Sequence, residues 1–448
     1  MQRRESPVSP PVVLTIAGSD SGGGAGIQAD LKTIEAGGAF GTSAITSVTA
    51  QNTTGVHGSH LLPTDDIAAQ IRAVREDFDV AAVKTGMLAT SEVVDLVAER
   101  APALPNLVVD PVMVATSGDR LLAAEAEDAY GALIAEAALV TPNADEAEVL
   151  TGREIDDPDD AAAAGGELVE MGADAALVKG GHVPGDEVVD VLVTDERIRT
   201  YRHDRVDTEA THGSGCTLSA AVATRLARGD DLGDAVASGI DLLARAVRYN
   251  LGVGEGPGAV HHSVELRDAA AREATSEAVE SVVAALVDAD PAPLVPESGM
   301  CVGAATPHAE RPDEVAAVDG RITQTLRGPR PPGGVRFGAE PELARLLLAV
   351  REHNPDRRFA VTCRLTDDVE AALDSLDGTV ARVANGERAA DATPEARVEH
   401  AVDGSEGSPV AIVDPGAVGV EGQVVILADG AATVTERVET VLRAVTEG

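Results

Sequence analysis

Lysine is almost absent from this sequence of 448 residues, where it occurs only at Lys32, Lys84 and Lys179. Lysine and arginine together number 35 against 75 acidic residues, which gives a formal net charge of -40. A surface this acidic repels nucleic acid, so we expect no nucleic-acid partner. The acidic residues are dispersed along the chain, which favours a salt-adapted, halophilic surface over an acidic tail for a basic partner.

Cysteine is equally scarce, with only Cys216, Cys301 and Cys363. Three cysteines cannot form a disulfide framework, and no two of them have the Cys-x-x-Cys spacing of zinc or redox motifs, so a cytoplasmic protein is expected. The stretch 37–64 contains no Asp, Glu, Lys or Arg, but its many polar groups would be costly in lipid. We therefore expect no membrane span. Residues 1–11 lack the apolar segment of a signal peptide and are expected to form a disordered leader.

Short apolar runs alternate with amphipathic stretches from about residue 12 to 260, which is typical of βα units around a mostly parallel sheet. Strands are predicted at 12–17, 107–109, 139–140 and 175–178, because these runs are too short for helices and end at Gly, Pro, Asp or Asn. In open α/β sheets the ligand binds at the carboxyl ends of the strands. Polar residues follow these strands.

The sequence predicts two domains joined by a helical connection. The first spans 12–265, and one long amphipathic helix over 269–287 lies in a helix-and-linker segment over 266–294. A second, smaller α/β domain is expected over 295–448, with a helix at 341–353 and strands at 360–363 and 424–427. The proline-rich stretch 291–296 marks the boundary.

Two glycine-containing turns of the first domain are candidate ligand sites. Residues 17–30 follow a strand and open a helix, and Asp20 could accept hydrogen bonds from a substrate; no Gly-Lys-Ser/Thr follows, so this is not a Walker loop. The segment 211–217 leads into an apolar helix predicted over 218–226. The amides of Gly213, Ser214, Gly215 and Cys216 would then form an anion hole for a phosphoryl group. An ordinary tight turn is the alternative.

Charged residues stand where such a phosphoryl group would need them. Asp110 ends a strand, and Glu146 follows another strand after the helix cap expected at Asn143. Two carboxylates are what magnesium usually takes beside ATP, although two acids among 75 prove little alone. Lys179 ends a further strand and can place a point charge on phosphate.

Together these segments resemble the hydroxymethylpyrimidine/phosphomethylpyrimidine kinases of thiamine synthesis. The matching stretches are Ala-Gly-Ser-Asp at 17–20, Gly-Ile-Gln-Ala-Asp-Leu-Lys at 26–32, Val-Thr-Ala-Gln-Asn-Thr-Thr-Gly-Val at 48–56, Lys-Thr-Gly-Met at 84–87, Val-Asp-Pro-Val at 109–112, Val-Lys-Gly-Gly-His at 178–182 and Thr-His-Gly-Ser-Gly-Cys-Thr at 211–217. The resemblance implies a ribokinase-like three-layer sandwich with a mostly parallel sheet, and a homodimer. A pyridoxal kinase, whose substrate is also a flat ring with a hydroxymethyl group, is the main rival.

The resemblance also implies the activity and the roles of individual residues. The family phosphorylates 4-amino-5-hydroxymethyl-2-methylpyrimidine with ATP and then converts the monophosphate to the pyrophosphate. By that resemblance Gln51 reads the pyrimidine edge, Asp20 and Met87 line the substrate pocket, Asp110 and Glu146 serve Mg²⁺, and Lys179, Thr211 and Asn143 face ATP. Cys216 stands where many ribokinase-like sugar kinases carry an aspartate base. We expect it to assist the attacking oxygen, while the loop amides carry most of the effect.

The second domain resembles the archaeal-type thiamine-phosphate synthase domain often fused to this kinase. The stretches that match lie at 296–300, 313–322 and 335–345, and Arg321 and Arg364 match arginines that could clamp phosphate. Glu342, however, stands where the family usually has a histidine, and a carboxylate would repel pyrophosphate. Either the synthase works differently, or the domain has lost catalysis and binds a ligand or partner. We favour the second alternative.

Overall fold

In this computed structural model the chain divides into two units, Met1–Leu266 and Arg267–Gly448. The structure describes residues 6–113, 129–330, 333–383, 393–402, 408–416 and 421–447. The first five residues of the expected leader lie outside these ranges. Within the described residues, no helix is long and apolar enough to cross a membrane.

A mostly parallel sheet forms the centre of the first unit. Its strands are β1 (Val12–Ser19), β2 (Phe40–Asn52), β3 (Gly55–Leu61), β4 (Val80–Thr85), β5 (Leu107–Val109), β6 (Leu139–Val140), β7 (Ala175–Val178), β8 (Glu187–Thr194) and β9 (Ile198–Asp204). Among the described residues they pair in the order β3-β2-β1-β4-β5-β6-β7-β8-β9. The pairs β2–β3, β7–β8 and β8–β9 are antiparallel, and the others are parallel. The four predicted strands of this unit are confirmed.

Helices cover the sheet of the first unit. They are α1 (Gly26–Ala36), α2 (Thr64–Asp77), α3 (Ser91–Ala98), α4 (Tyr130–Ile134), α5 (Ala144–Thr151), α6 (Pro158–Glu170), α7 (Ser214–Ala227) and α8 (Leu232–Arg248), and α9 (Val264–Ala270) begins in this unit. Successive residues of β1 are buried in two different clusters, Leu14 with Ile16 in one and Val13 in the other. Because helices cover both faces of the sheet, its central strands are continuous apolar runs rather than alternating ones. The predicted α/β class is confirmed.

The second unit is built on a mainly antiparallel sheet. Its strands are β10 (Val302–Ala305), β11 (Val315–Val318), β12 (Thr323–Thr325), β13 (Gly328–Arg330), β14 (Val335–Phe337), β15 (Phe359–Arg364), β16 (Val380–Arg382), β17 (Ala411–Asp414) and β18 (Gln423–Ala428). Among the described residues the sheet order is β14-β11-β10-β15-β18-β17-β16, and β12 pairs separately with β13. Its helices are α10 (Arg272–Asp288), α11 (Pro341–His353), α12 (Asp367–Ala372), α13 (Pro394–Val402) and α14 (Ala431–Glu447).

The predicted long helix over 269–287 is wrong in one respect, because α9 ends at Ala270 and α10 begins at Arg272. Val279, Val282 and Leu286 of α10 are buried in the core of the second unit. The predicted helix at 341–353 and the strands at 360–363 and 424–427 are present as α11, β15 and β18.

Candidate active site

Asp20 organises the glycine-rich turn that leads from β1 to α1. It is 2% exposed, and its carboxylate accepts hydrogen bonds from the amides of Gly22, Gly24 and Ala25 at 2.8, 2.9 and 2.8 Å. Burying a carboxylate is costly unless such donors surround it. Asp20 therefore fixes the conformation of the turn. The sequence analysis had assigned it only to the lining of the substrate pocket.

His212 joins this turn to the residue expected to read the pyrimidine. Its Nε2 lies 3.2 Å from Asp20 Oδ2 and 3.3 Å from the amide of Gln51. Burial alone would raise the pKa of Asp20, but the hydrogen bond from His212 and those from the backbone outweigh it and lower the pKa. Asp20 is therefore an anion at neutral pH. The sequence analysis assigned no role to His212, whose contact with Asp20 spans 192 positions.

Met87 lies beside the end of β1. Its carbonyl oxygen accepts a hydrogen bond of 2.8 Å from Thr46 Oγ1. The terminal methyl group of Met87 lies against Gly18, at 2.3 Å from where a Cβ on that residue would be. The geometry thus brings Met87 to the same end of β1 as Asp20.

The helix after the second glycine turn starts earlier than predicted. We predicted its start at residue 218, but α7 begins at Ser214 with Gly213 as the residue before it. Gly213 has φ +81°, and a Cβ on it would overlap Gly24 O. Only glycine tolerates both this conformation and this close approach. The two glycine turns therefore touch, and the predicted loop is the first turn of a helix.

The first turn of α7 provides free backbone donors. Ser214 N donates to Thr211 O at 3.1 Å, so this amide is occupied. Gly215 and Cys216 follow it, at positions where a helix offers no acceptor four residues back. Their N–H groups and the positive end of the helix form an anion site. The phosphoryl-binding role of this segment stays a prediction, and the amides that remain available for it are those of Gly215 and Cys216.

Lys179 forms a charge cluster with two acidic residues next to this helix end. Its Nζ lies 3.2 Å from Asp110 Oδ1 and 4.0 Å from Glu146 Oε2. Burial would lower the pKa of Lys179, but the two carboxylates outweigh it and raise the pKa, so the ammonium stays charged. A Cβ on Gly215 would lie 3.3 Å from Lys179 Nζ and 3.6 Å from Asp110 Oδ2. A phosphate at the helix end would meet both charges.

Asn143 begins α5 as predicted. Its Oδ1 accepts from Glu146 N at 2.8 Å, and Glu146 Oε2 accepts from Asn143 N at 2.9 Å, which is a capping box. Burial raises the pKa of Glu146 to about 7, although Lys179 opposes this. The contact of Asn143 with ATP stays a prediction, since its side-chain oxygen is engaged in the cap.

Cys216 is a poor base in this environment. Burial raises the pKa of its thiol to about 11, and nearby Lys84 only partly opposes this. A thiol with this pKa is protonated at neutral pH and can donate a hydrogen bond but not remove a proton. The expectation that the backbone amides carry most of the effect fits this state.

Two buried groups behind the site were not predicted. His262 is 4% exposed, and its Nδ1 lies 2.8 Å from Thr217 Oγ1, which donates to Gly213 O at 2.8 Å. Burial lowers the pKa of His262 to about 4, so the ring is neutral. Lys84 forms a fully buried ion pair with Asp30 at 2.8 Å. Only the three-dimensional fold brings these partners together.

A cavity in the second unit is lined by two of the three site residues predicted there. Arg321 and Glu342 line it, together with Glu340, Arg397 and other side chains. Arg321 is paired with Glu340 at 3.2 Å, so its guanidinium is already neutralised. Arg364 is not among the described residues that line the cavity. It lies on β15 two positions after Thr362, which does.

A helix end, a lysine and two carboxylates at the edge of a doubly wound α/β sheet define a ribokinase-like phosphotransferase. The chain belongs to the phosphomethylpyrimidine kinase family, whose model matches residues 20–261. Residues 278–440 match the family described as thiamine-phosphate synthase ThiN. The predicted fusion and the predicted kinase class are confirmed.

Individual proteins agree with this placement. A hydroxymethylpyrimidine/phosphomethylpyrimidine kinase of Streptomyces coelicolor is 47% identical over 262 residues, which are 57% of this chain and 96% of that protein. A thiamine biosynthesis bifunctional protein of Geobacter sulfurreducens is 42% identical over 268 residues, 59% of this chain and 55% of that protein. The structure of Bacillus subtilis pyridoxal kinase as an ADP complex is 34% identical, with a TM-score of 0.53; the match covers 58% of this chain and all of that one.

Proposed function

We propose that the first unit transfers phosphate from ATP to the hydroxymethyl group of 4-amino-5-hydroxymethyl-2-methylpyrimidine and then to the resulting monophosphate. The kinase domain would span 12–265 and the synthase-like domain 295–448. The helix α10 in the segment 266–294 would belong to the second unit, because it is buried in that unit's core. The observation that carries this proposal is that Lys179 Nζ and Asp110 Oδ2 lie 3.3 and 3.6 Å from the Cβ position of Gly215, in the first turn of α7.

Transfer at this point would proceed mainly by positioning and charge stabilisation. The two free amides and Lys179 would hold the transferring phosphoryl group, whose negative charge they complement. Cys216 would offer a hydrogen bond from its neutral thiol but take no proton. As the bond from the hydroxymethyl oxygen to phosphorus forms and the bond from phosphorus to ADP breaks, the hydroxyl proton would pass to an oxygen of the transferred phosphoryl group. Gln51, Asp20 and Met87 would hold the ring, with Thr211 and Asn143 near the nucleotide.

The two carboxylates of the site fit a magnesium ion. Asp110 and Glu146 supply two carboxylates, and magnesium beside ATP usually takes one or two, with phosphate oxygens and water completing its shell. When bound, the ion would neutralise charge on the phosphates. We also propose that the protein is a cytoplasmic homodimer, as the family resemblance implies. The charge of -40 supports the further proposal that it is adapted to high salt.

A side-by-side kinase assay tests the substrate. The purified full-length chain is given ATP, magnesium and high salt with either the aminopyrimidine or pyridoxal, and the products are identified by mass. We expect the monophosphate and then the pyrophosphate of the pyrimidine, at a kcat/KM well above that for pyridoxal. Pyridoxal is the rival substrate because the chain is also similar to a pyridoxal kinase. Preferential phosphorylation of pyridoxal would refute the proposal.

For the second unit we propose ligand or partner binding without synthase catalysis. A synthase must bind pyrophosphate as it leaves, which requires free cations or proton donors. In the cavity of this unit Arg321 is paired with Glu340, Arg397 lies 3.6 Å from the carboxylate of Asp414, and Glu342 adds a further negative charge. This charge balance is what supports the proposal.

The alternative for the second unit is an active synthase, favoured by the family match alone. The full chain is assayed for thiamine-phosphate formation beside its Glu342→His variant, with the pyrimidine pyrophosphate and the thiazole phosphate supplied. We expect no turnover by the wild type. We also expect little from Glu342→His, because Glu340 still neutralises Arg321. Robust turnover by the wild type would establish the alternative.

A further inference from the structure

We infer that His212 is a positioning residue that fixes the direction of the Gln51 amide and thereby selects the ring that the kinase accepts. This inference rests on the proposed function and deepens it. It is argued from which atoms can donate and which can accept hydrogen bonds in four neighbouring side chains, namely those of His212, Asp20, Gln51 and Thr49.

The contact between His212 and Asp20 determines where the imidazole carries its proton. Asp20 is an anion that already accepts three backbone hydrogen bonds and can only accept another. His212 Nε2, 3.2 Å from Asp20 Oδ2, must therefore carry a hydrogen, because two lone pairs at this distance would repel. The one hydrogen on His212 Nε2 therefore lies in a three-centre hydrogen bond, shared between Asp20 Oδ2 and the side-chain amide of Gln51 3.3 Å away.

Thr49 sets the other side of the Gln51 amide. Its single hydroxyl hydrogen is donated to Ser19 O at 2.6 Å. The amide atom of Gln51 that lies 3.3 Å from Thr49 Oγ1 therefore faces an acceptor. Gln51 thus lies between a donor on one side, His212, and an acceptor on the other, Thr49.

Only one amide direction satisfies both neighbours. With Nε2 toward His212 and Oε1 toward Thr49, two donors would face each other on one side and two acceptors on the other. Rotating the amide of Gln51 by 180° exchanges these atoms and pairs every group. The carbonyl oxygen then accepts from His212 and the NH₂ group donates to Thr49.

This anchoring leaves one N–H and one carbonyl lone pair of Gln51 for a substrate, in a fixed order. A 4-aminopyrimidine has a ring nitrogen that accepts beside an amino group that donates, and so complements that pair. Pyridoxal has no amino group beside its ring nitrogen. If the Gln51 amide were reversed, its NH₂ group would face the amino group of the substrate, and two donors would meet. By preventing this reversal, the hydrogen bond from His212 favours the aminopyrimidine over other rings.

The test compares His212→Leu with His212→Gln, whose amide nitrogen can reach the position of the imidazole Nε2. For His212→Leu we expect KM for the aminopyrimidine to rise about 10-fold, the effect of one lost hydrogen bond, with kcat changed by less than about 3-fold. KM for pyridoxal should not change. For His212→Gln we expect KM within about 3-fold of the wild type, since its amide restores the donor.

His203→Leu is the matched control, because His203 also contacts a buried aspartate and its exposure is 23% against 20% for His212. It should leave both KM values unchanged. If His212→Leu does not fold, as judged by circular dichroism, Thr49→Val removes the other anchor and should raise the same KM.

Two results would overturn the inference while the proposed function stands. One is an unchanged KM ratio between the two rings in the variants, and the other is a loss of kcat at unchanged KM. A wild-type chain that does not phosphorylate the aminopyrimidine would instead refute the proposed function, and this inference with it.

Discussion

The two units differ most in how they balance charge at their candidate sites. In the first, Lys179 lies between Asp110 and Glu146 and next to helix amides that have no intrahelical acceptor, so a phosphate would find backbone donors and a cation beside two carboxylates that suit magnesium. In the second, Arg321 is already paired with Glu340, and Glu342 faces the same cavity. A family model matches each unit, so the difference in function that we propose depends on the groups around the cation of each site.

Removing the cation of the first site should have the largest effect on activity. We expect Lys179→Ala to lower kcat for the pyrimidine by about 10²- to 10³-fold, because an aligned charge on the phosphoryl group is lost. Arg202→Ala is the control, since it removes an exposed cation that pairs with Glu187. Steady-state kinetics with ATP in excess measures the change. Wild-type kcat in the Lys179 variant would break the comparison between the units.

Ion pairs of the two units should differ in their contribution to stability. Breaking the fully buried pair of Lys84 and Asp30 by Lys84→Met should cost about 3–5 kcal/mol, because Asp30 is left as an unpaired buried charge. Arg321→Met breaks the partly exposed pair with Glu340 and should cost under about 1 kcal/mol.

Urea unfolding of the full chain at fixed salt, followed unit by unit, measures both changes. The double variant Lys84→Met with Asp30→Asn should recover part of the loss, since no charge then remains buried. An equal loss of unfolding free energy in the Lys84 and Arg321 variants would contradict the expected difference between a buried and a partly exposed ion pair.

The contact between the glycine turns should be specific to Gly213. We expect Gly213→Ala to cost about 2 kcal/mol or more and to lower kcat, because it adds a clash with Gly24 O to an unfavourable φ. Gly229→Ala is the matched control: its φ is +91°, but no atom lies within 4 Å of the added Cβ. It should cost about 1 kcal/mol and leave kcat unchanged. Thermal unfolding and kinetics of both variants provide the comparison.

Cys216 should give the smallest effect. Because burial raises its pKa to about 11, the thiol stays protonated up to pH 9, and no rise in kcat from its ionisation is expected between pH 7 and 9. Cys216→Ala should lower kcat by less than about 10-fold, since a neutral donor is lost while the amides remain. A pH profile of wild type and variant checks both. A rise in kcat with pH that disappears in Cys216→Ala would show that the thiolate acts.

Local signals predicted much of the first unit. The buried strands and the cap at Asn143 follow from short apolar runs and turn residues, and the candidate residues stand at strand ends in the sequence. The start of α7 was missed because Ser-Gly-Cys is a poor helix opening by propensity. The structure nonetheless uses small residues there, where Gly213 approaches Gly24.

Other features could not be predicted because they depend on distant partners. His212 meets Asp20 across 192 positions, and His262 meets Thr217 across 45. Arg321 is neutralised by Glu340, 19 residues away, which no motif indicates. The interruption at Ala271 has no proline or glycine to mark it. Tertiary contacts decide the three side-chain pairings, and nothing in the structure explains the interruption of the helix.

One assay tests the difference between the units most directly. The full chain is incubated with ATP, magnesium, the aminopyrimidine and the thiazole phosphate, and the products are followed by mass. We predict that the pyrimidine pyrophosphate accumulates and that no thiamine phosphate forms until an independent synthase is added. Thiamine phosphate formed by this chain alone, or no pyrophosphate at all, would contradict this account.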